Sequence, residues 1–289
     1  MKEQFDLILQ NAKSELEKVQ SVKELNDLKV KFLGKSGDIT ALMKEMKNIS
    51  YGSFDLQRYD LYLPESDVKS VFVYFHGGGL ERGDKSCATL LAQYLTERSI
   101  ALVSANYRMY PEFQYPDFLY DAAEVVSRVH SYARDELGCD KLYVGGSSAG
   151  GYISLMLCFD RKYLASVGLD NSAISGYFHD AGQPTAHFNV LKYRGIDPRR
   201  TIIDDTSPIY YIGIESEYPP MRFIVSDNDM KNRYEQTMLM LSTLDHFGYK
   251  NYDHIVAHGT HCHYCGRRKE NGDSVFGNMI IDFIKKVDT

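Results

Sequence analysis

The stretch Val144-Gly145-Gly146-Ser147-Ser148-Ala149-Gly150-Gly151 constrains the chain most. Lys141-Leu142-Tyr143-Val144 has strand composition, and Ala149 to Cys158 places Ile153, Leu155, Met156 and Cys158 at spacings that suit a buried helix. Between them, Gly146-x-Ser148-x-Gly150 predicts a serine on a tight strand-to-helix turn in strained backbone geometry. The flanking positions must be glycine, because a Cβ there would meet neighbouring backbone. Ser148 is read as a nucleophile, with the positive end of the helix and the Ala149 amide available to an oxyanion. Composition alone produces G-x-S-x-G by chance in roughly one chain in ten of this length, so a second feature has to carry the reading.

That feature is His76-Gly77-Gly78-Gly79, which follows the apolar, β-branched and aromatic run Val71-Phe72-Val73-Tyr74-Phe75. It places a glycine loop with free amides at a strand's carboxyl end. A phosphate-holding nest is the poorer reading, because the Lys-Ser/Thr ending of a phosphate loop is missing. Paired with a serine elbow downstream, Gly77 and Gly78 supply the second half of an oxyanion hole, with Ala149 as the first.

With both motifs in place, the chain from about residue 51 to its end resembles the α/β-hydrolase superfamily, and within it the esterases related to hormone-sensitive lipase. Those enzymes share an H-G-G-G loop and a G-x-S-A-G-G elbow. Tyr107-Arg108-Met109-Tyr110-Pro111-Glu112 is similar to their Y-R-x-x-P-E segment, and Tyr115-Pro116 to Asp121-Ala122-Ala123 to the start of the helix that follows. Ser147 departs from the pattern, since the family often has aspartate there, and this alters the pocket floor. His76, Gly79 and Ser147 are expected to line the substrate site.

The chain has 289 residues, with Lys+Arg 33 against Asp+Glu 39 and a net charge of -6. That length fits one large α/β domain plus a small appendage, and the charge does not argue for nucleic acid or an anionic membrane as partner. No run approaches the roughly 18 apolar residues of a membrane span, and the N-terminus is charged and amphipathic rather than signal-like, so a cytoplasmic protein is expected. Five scattered cysteines, Cys87, Cys139, Cys158, Cys262 and Cys265, do not form a disulfide framework. No cofactor is expected.

Residues 1–49 read differently from the rest. Phe5, Ile8, Leu9, Ala12, Leu16 and Val19 recur at threes and fours, predicting an amphipathic helix. Lys35-Ser36-Gly37-Asp38 reads as a turn, and Ile39, Leu42, Met43 and Met46 form a second stripe, so a helical hairpin is expected. Leu25 to Gly37 and Ile39 to Met43 resemble the N-terminal coiled-coil arm of the phenylalanyl-tRNA synthetase alpha subunit, which in that family reaches tRNA. No aminoacylation domain follows, so ligase activity is not expected. A role in contacting RNA or in oligomerisation stands beside that of a fused remnant.

After residue 50, Gln57–Leu63, Val71–Phe75, Ile100–Ala105, Met221–Val225 and Tyr249–Val256 read as further strands. Asp84–Arg98, Asp117–Leu137, Asn232–Phe247 and Asp273–Asp288 read as helices. The alternation predicts an α/β fold, a mostly parallel sheet with helices on both faces, whose sites form at the carboxyl ends of the strands. From about Tyr177 to Gly213 the pattern loosens into an expected cap insertion. Its run Gly182-Gln183-Pro184-Thr185-Ala186-His187-Phe188-Asn189 resembles segments of bacterial esterases acting on acetyl and feruloyl groups of plant polysaccharides. That resemblance implies a carbohydrate ester as substrate, with Gln183 and His187 at the pocket; packing within the cap is an equal reading of His187.

Ser226-Asp227-Asn228-Asp229 follows a strand, where a triad acid belongs. The resembling esterases use the second aspartate of such a loop, which favours Asp229, with Asp227 left to cap the helix that follows. Ala257-His258-Gly259-Thr260-His261-Cys262-His263-Tyr264-Cys265 then offers three histidines, of which His261 best fits the family's G-x-H arrangement, with His258 and His263 as rivals. The same stretch holds enough ligand types for zinc, but no second C-x-x-C or spaced histidine pair occurs elsewhere, so no metal is expected. The expected activity is hydrolysis of carboxylic esters of small acyl groups by Ser148, His261 and Asp229. A peptidase or amidase of the same fold, and a protein acting through residues 1–49, are the alternatives.

Overall fold

A computed structural model of the protein describes residues 2–33 and 47–289, without the side chains of residues 2–6 and 33. The chain divides into two compact units, residues 1–49 and 50–289.

In the first unit, helices run over Lys2–Leu16 and Val22–Leu33. The turn between them falls near residues 17–21, earlier than the expected one at Lys35–Asp38, which lies outside the described residues together with the stripe Ile39 to Met46. The reason is local. Ser21-Val22-Lys23-Glu24 starts a new helix: the Ser21 hydroxyl accepts from the Glu24 amide at 3.2 Å, and the Glu24 carboxylate accepts from the Gln20 amide at 2.8 Å. This reciprocal capping satisfies amides that a helix start leaves unpaired. Lys31 and Glu15 pair at 2.5 Å between the two helices.

The sheet has eight strands in the order β1-β2-β4-β3-β5-β6-β7-β8. They are β1 (Ile49–Ser50), β2 (Arg58–Tyr62), β3 (Ser70–Phe75), β4 (Ile100–Ala105), β5 (Leu142–Ser147), β6 (Gly176–Asp180), β7 (Met221–Asn228) and β8 (Tyr252–Thr260). β2 pairs antiparallel with β4, and from β4 through β8 every pairing is parallel. Strands β3 to β6 are buried along their whole length, as strands covered on both faces must be. On one face Phe72, Tyr74, Leu102, Tyr143 and Phe178 pack against Phe276, Ile280 and Phe283 of the helix Val275–Asp288 and Ala92 and Leu95 of Thr89–Thr96. Each large side chain buried there stabilises the fold by about 1.5–3 kcal/mol. On the other face the wholly buried helix Ala149–Phe159 and the helix Asp117–Leu137 pack side by side, against the sheet and against each other.

Three elements differ from expectation. The cap begins later than Tyr177, because Gly176–Asp180 is a central strand. Its polar end, His179-Asp180, disguises it: His179 is buried with Nδ1 at 2.9 Å from the Ser154 hydroxyl. The expected helix from Asp84 opens as a 3-10 turn, Lys85–Ala88, before Thr89–Thr96, with Asp84 accepting from the Ser86 amide at 2.9 Å. The last strand extends to Thr260, which carries His258 into β8. Among the described residues no helix is long and apolar enough to cross a membrane.

Candidate active site

Strand β5 ends at Ser147 and the helix starts at Ala149, so Ser148 alone makes the turn. It does so at φ 57 and ψ -110, a conformation that costs a non-glycine residue on the order of 1–3 kcal/mol. The turn closes only because its neighbours lack a Cβ. A Cβ on Gly150 would lie 1.9 Å from the Phe75 carbonyl oxygen, and one on Gly146 2.5 Å from that of Gly150. The Ser148 amide donates to the Asp180 carbonyl at 2.8 Å, which ties the turn to β6.

The Ser148 hydroxyl is 2.8 Å from His261 Nε2, and His261 Nδ1 is 2.5 Å from Asp229 Oδ1. His261 lies in the loop after β8 and keeps 24% of its side chain exposed, whereas the Asp229 carboxylate has no exposure. Burial alone would raise the Asp229 carboxyl, but the His261 hydrogen bond and charge and the Met230 and Ser226 amides outweigh it and hold it below the usual range. An ionised carboxylate therefore faces the imidazole. Asp227 instead accepts from the Gly259 amide at 2.9 Å and lies 2.6 Å from Nδ1 of His258, whose side chain is 97% exposed. It braces the end of β8 rather than capping the helix Arg233–His246. The third histidine, His263, lies with Nδ1 2.9 Å from the Thr260 carbonyl.

The H-G-G-G loop leaves β3 directly opposite this turn. A Cβ on Gly77 would come within 3.3 Å of Ser148 Cβ, so its backbone lies against the serine, and Gly78 follows at φ 123. Ala149 is the first residue of its helix, where an amide has no intrahelical acceptor. The Gly77 backbone thus lies against Ser148, and the free Ala149 amide directly follows it.

Four of the five residues expected to line the substrate pocket are instead part of its frame. His76 is buried, stacks on Tyr107 with centroids 4.5 Å apart, and has Nδ1 2.7 Å from the Gly77 carbonyl; burial lowers its pKa. Tyr107, from the Y-R-x-x-P-E segment, donates to the His76 carbonyl at 2.8 Å, and Arg108 forks onto Asp121, so that segment supports the glycine loop. Ser147 points into the structure, where it donates to Asp180 at 2.5 Å and accepts from Tyr74 at 2.9 Å. Gln183 donates to the Ala186 carbonyl at 2.8 Å and accepts from Arg233 at 3.2 Å. His187 is buried between Tyr152 and Phe188 and accepts from the Asn189 amide at 3.2 Å; burial and then the Arg233 charge push its pKa well down. Gly79 remains at the surface of the loop, where its carbonyl accepts from Asn189 at 2.5 Å.

Sequence reasoning missed Asp180. This fully buried carboxylate accepts from the Ser147 and Tyr264 hydroxyls and lies 3.5 Å from Cys265 Sγ. Burial raises its pKa to about 6. It joins the serine turn to the loop that carries His261. The available signal was its place at the carboxyl end of a parallel strand, hidden once β6 was read as cap.

A mostly parallel sheet with this strand order, a strained serine turn after β5 and an acid and a histidine after β7 and β8 together define an α/β-hydrolase fold. Residues 72–173 match the family model described as alpha/beta hydrolase fold, and residues 20–51 match the N-terminal domain of class II aminoacyl-tRNA synthetases. The chain is similar to a probable isoprenylcysteine alpha-carbonyl methylesterase of Arabidopsis thaliana, with 31% identity over 144 residues, 47% of this chain and 30% of that protein. It is also similar to the carboxylic ester hydrolase LipN of Mycobacterium tuberculosis, 34% identical over 91 residues, 30% of this chain and 24% of that one. The chain therefore spans about a third or less of the length of these curated relatives. Among solved structures, butyrate-bound esterase 2 of Thermogutta terrifontis superposes with a TM-score of 0.66 at 18% identity, covering 82% of this chain and 92% of that one. The two share a fold.

Proposed function

We propose that residues 50–289 form a serine hydrolase that cleaves carboxylic esters of small acyl groups. The observation that carries this reading is the continuous line from Asp229 through His261 to Ser148, with contacts of 2.5 and 2.8 Å. Such a line lets an imidazole take the serine proton while the carboxylate holds its tautomer and stabilises the imidazolium. Ser148 Oγ then attacks the ester carbonyl, and the amides of Gly77, Gly78 and Ala149 receive the oxyanion. One donor of that kind is worth about 3 kcal/mol of barrier. His261 returns its proton to the departing alkoxide, and water, activated by the same base, releases the acid.

The esterase names of the relatives support ester over amide chemistry. The alcohol side is read as a carbohydrate from the resemblance of the Gly182–Asn189 run to plant-polysaccharide esterases. The polar side chains of that run serve the frame, so its support for a sugar is indirect. Residues 1–49, with nine Lys against eight acidic residues, offer little attraction to phosphate and are kept apart from catalysis in this reading.

The test is hydrolysis of p-nitrophenyl esters from acetyl to decanoyl by the full chain. The highest kcat/KM is expected at acetyl to butyryl, with decline toward decanoyl. A folded chain that ignores all of these esters but cleaves the corresponding anilides would replace the ester reading by an amidase.

A further inference from the structure

We propose that Asp180, Cys262 and Cys265 form a binding site for a zinc-class divalent cation. One ligand atom from each lies within 4.8 Å of the others, on residues that are buried (Asp180) or half-buried (the two cysteines). Cys262 and Cys265 are the ends of a turn closed by the Cys265 amide on the Cys262 carbonyl at 3.0 Å, so C-x-x-C presents both sulfurs on one side. The spacing fits the ion. With metal–sulfur and metal–oxygen bonds of about 2.3 and 2.0 Å at a tetrahedral angle, sulfur and oxygen stand about 3.5 Å apart. Cys265 Sγ and Asp180 Oδ2 are separated by 3.5 Å.

The surroundings suit a cation as well. Asp180 is 0% exposed and makes no ion pair with Lys or Arg among the described residues. A buried carboxylate without a cationic partner is costly even when hydrogen-bonded, and a bound dication offsets that cost. The hydroxyls of Ser147 and Tyr264 already donate to its oxygens, the kind of support that orients a ligating carboxylate. On binding, both thiols release their protons to solvent and two sulfur–metal bonds form, with no change in oxidation state; water fills the fourth position. The ion ties the turn next to His261 to the end of β6, whose Asp180 carbonyl holds the Ser148 amide. It thereby fixes both halves of the active site from behind. The inference does not depend on the ester reading.

The experiment adds cobalt(II) alone to the full chain, stripped by chelator and kept reduced. Thiolate-to-cobalt charge-transfer absorption with tetrahedral ligand-field bands is expected, saturating at one ion per chain and displaced by zinc. The signal falls to background in the Cys262→Ser/Cys265→Ser chain and persists in Cys139→Ser and in Ser148→Ala. As a readout that needs no variant, zinc should protect Cys262 and Cys265, but not the exposed Cys87, from iodoacetamide, mapped by mass spectrometry. Absence of the charge-transfer band from the folded, reduced chain overturns the site. So does a band that survives the double substitution, or unchanged labelling of the two cysteines.

Discussion

Ser148→Ala is expected to lower kcat on a short p-nitrophenyl ester by about a million-fold, the scale found when a triad nucleophile is removed. Binding and folding should hardly change. Among the described residues the Ser148 hydroxyl hydrogen-bonds only to His261, and the hydrogen bonds that hold the turn come from its amide and carbonyl, on Asp180 and Tyr152. Truncation at Cβ therefore leaves the strained turn and its glycine neighbours in place, and KM and the urea midpoint should stay near those of the parent. A residual rate within a few-fold of the parent would mean that another group attacks the ester.

Asp229→Asn is expected to cost about 10,000-fold in kcat, whereas Asp227→Asn should stay within a few-fold of the parent. An asparagine would offer His261 Nδ1 either an amide oxygen without the charge or an N–H that enforces the wrong tautomer. The exposed His258 on Asp227 touches neither Ser148 nor His261. The carboxyl group also leaves a mark on stability. Its folded pKa is depressed, so its contribution is present above the ordinary aspartate range and is lost as pH falls through the depressed value. The melting-temperature gap between the parent and Asp229→Asn should accordingly narrow on acidification below about pH 4. Equal losses in the two asparagine variants, or a larger one at Asp227, would reassign the acid.

How much of this was legible depended on whether a residue's role was set by its neighbours in sequence. The serine turn and the glycine loop were legible because each needs glycines at fixed offsets, and the Cβ clashes at Gly146 and Gly150 show the cause. Strands β3, β4 and β5 were legible as apolar, β-branched runs. β6 was not: it is only five residues long and ends in His179-Asp180, whose burial depends on partners from other elements. The same limit explains His76, Ser147, Gln183 and His187. Their positions beside the motifs were visible, but whether each side chain faces the pocket or the frame is decided by Tyr107, Tyr74, Arg233 and Tyr152, which come from distant parts of the chain. In residues 1–49, the capping pair Ser21 and Glu24 was present in the sequence but was masked by the continuous apolar spacing up to Val19.

The most direct test of the central claim is covalent trapping with a fluorophosphonate ester, in which serine oxygen displaces fluoride from phosphorus, followed by peptide mapping of the full chain. One adduct per chain on the peptide that contains Ser148 is predicted, with loss of hydrolysis in proportion to labelling and no adduct in Ser148→Ala. A folded chain that hydrolyses esters while labelled elsewhere, or while unlabelled, would contradict the account.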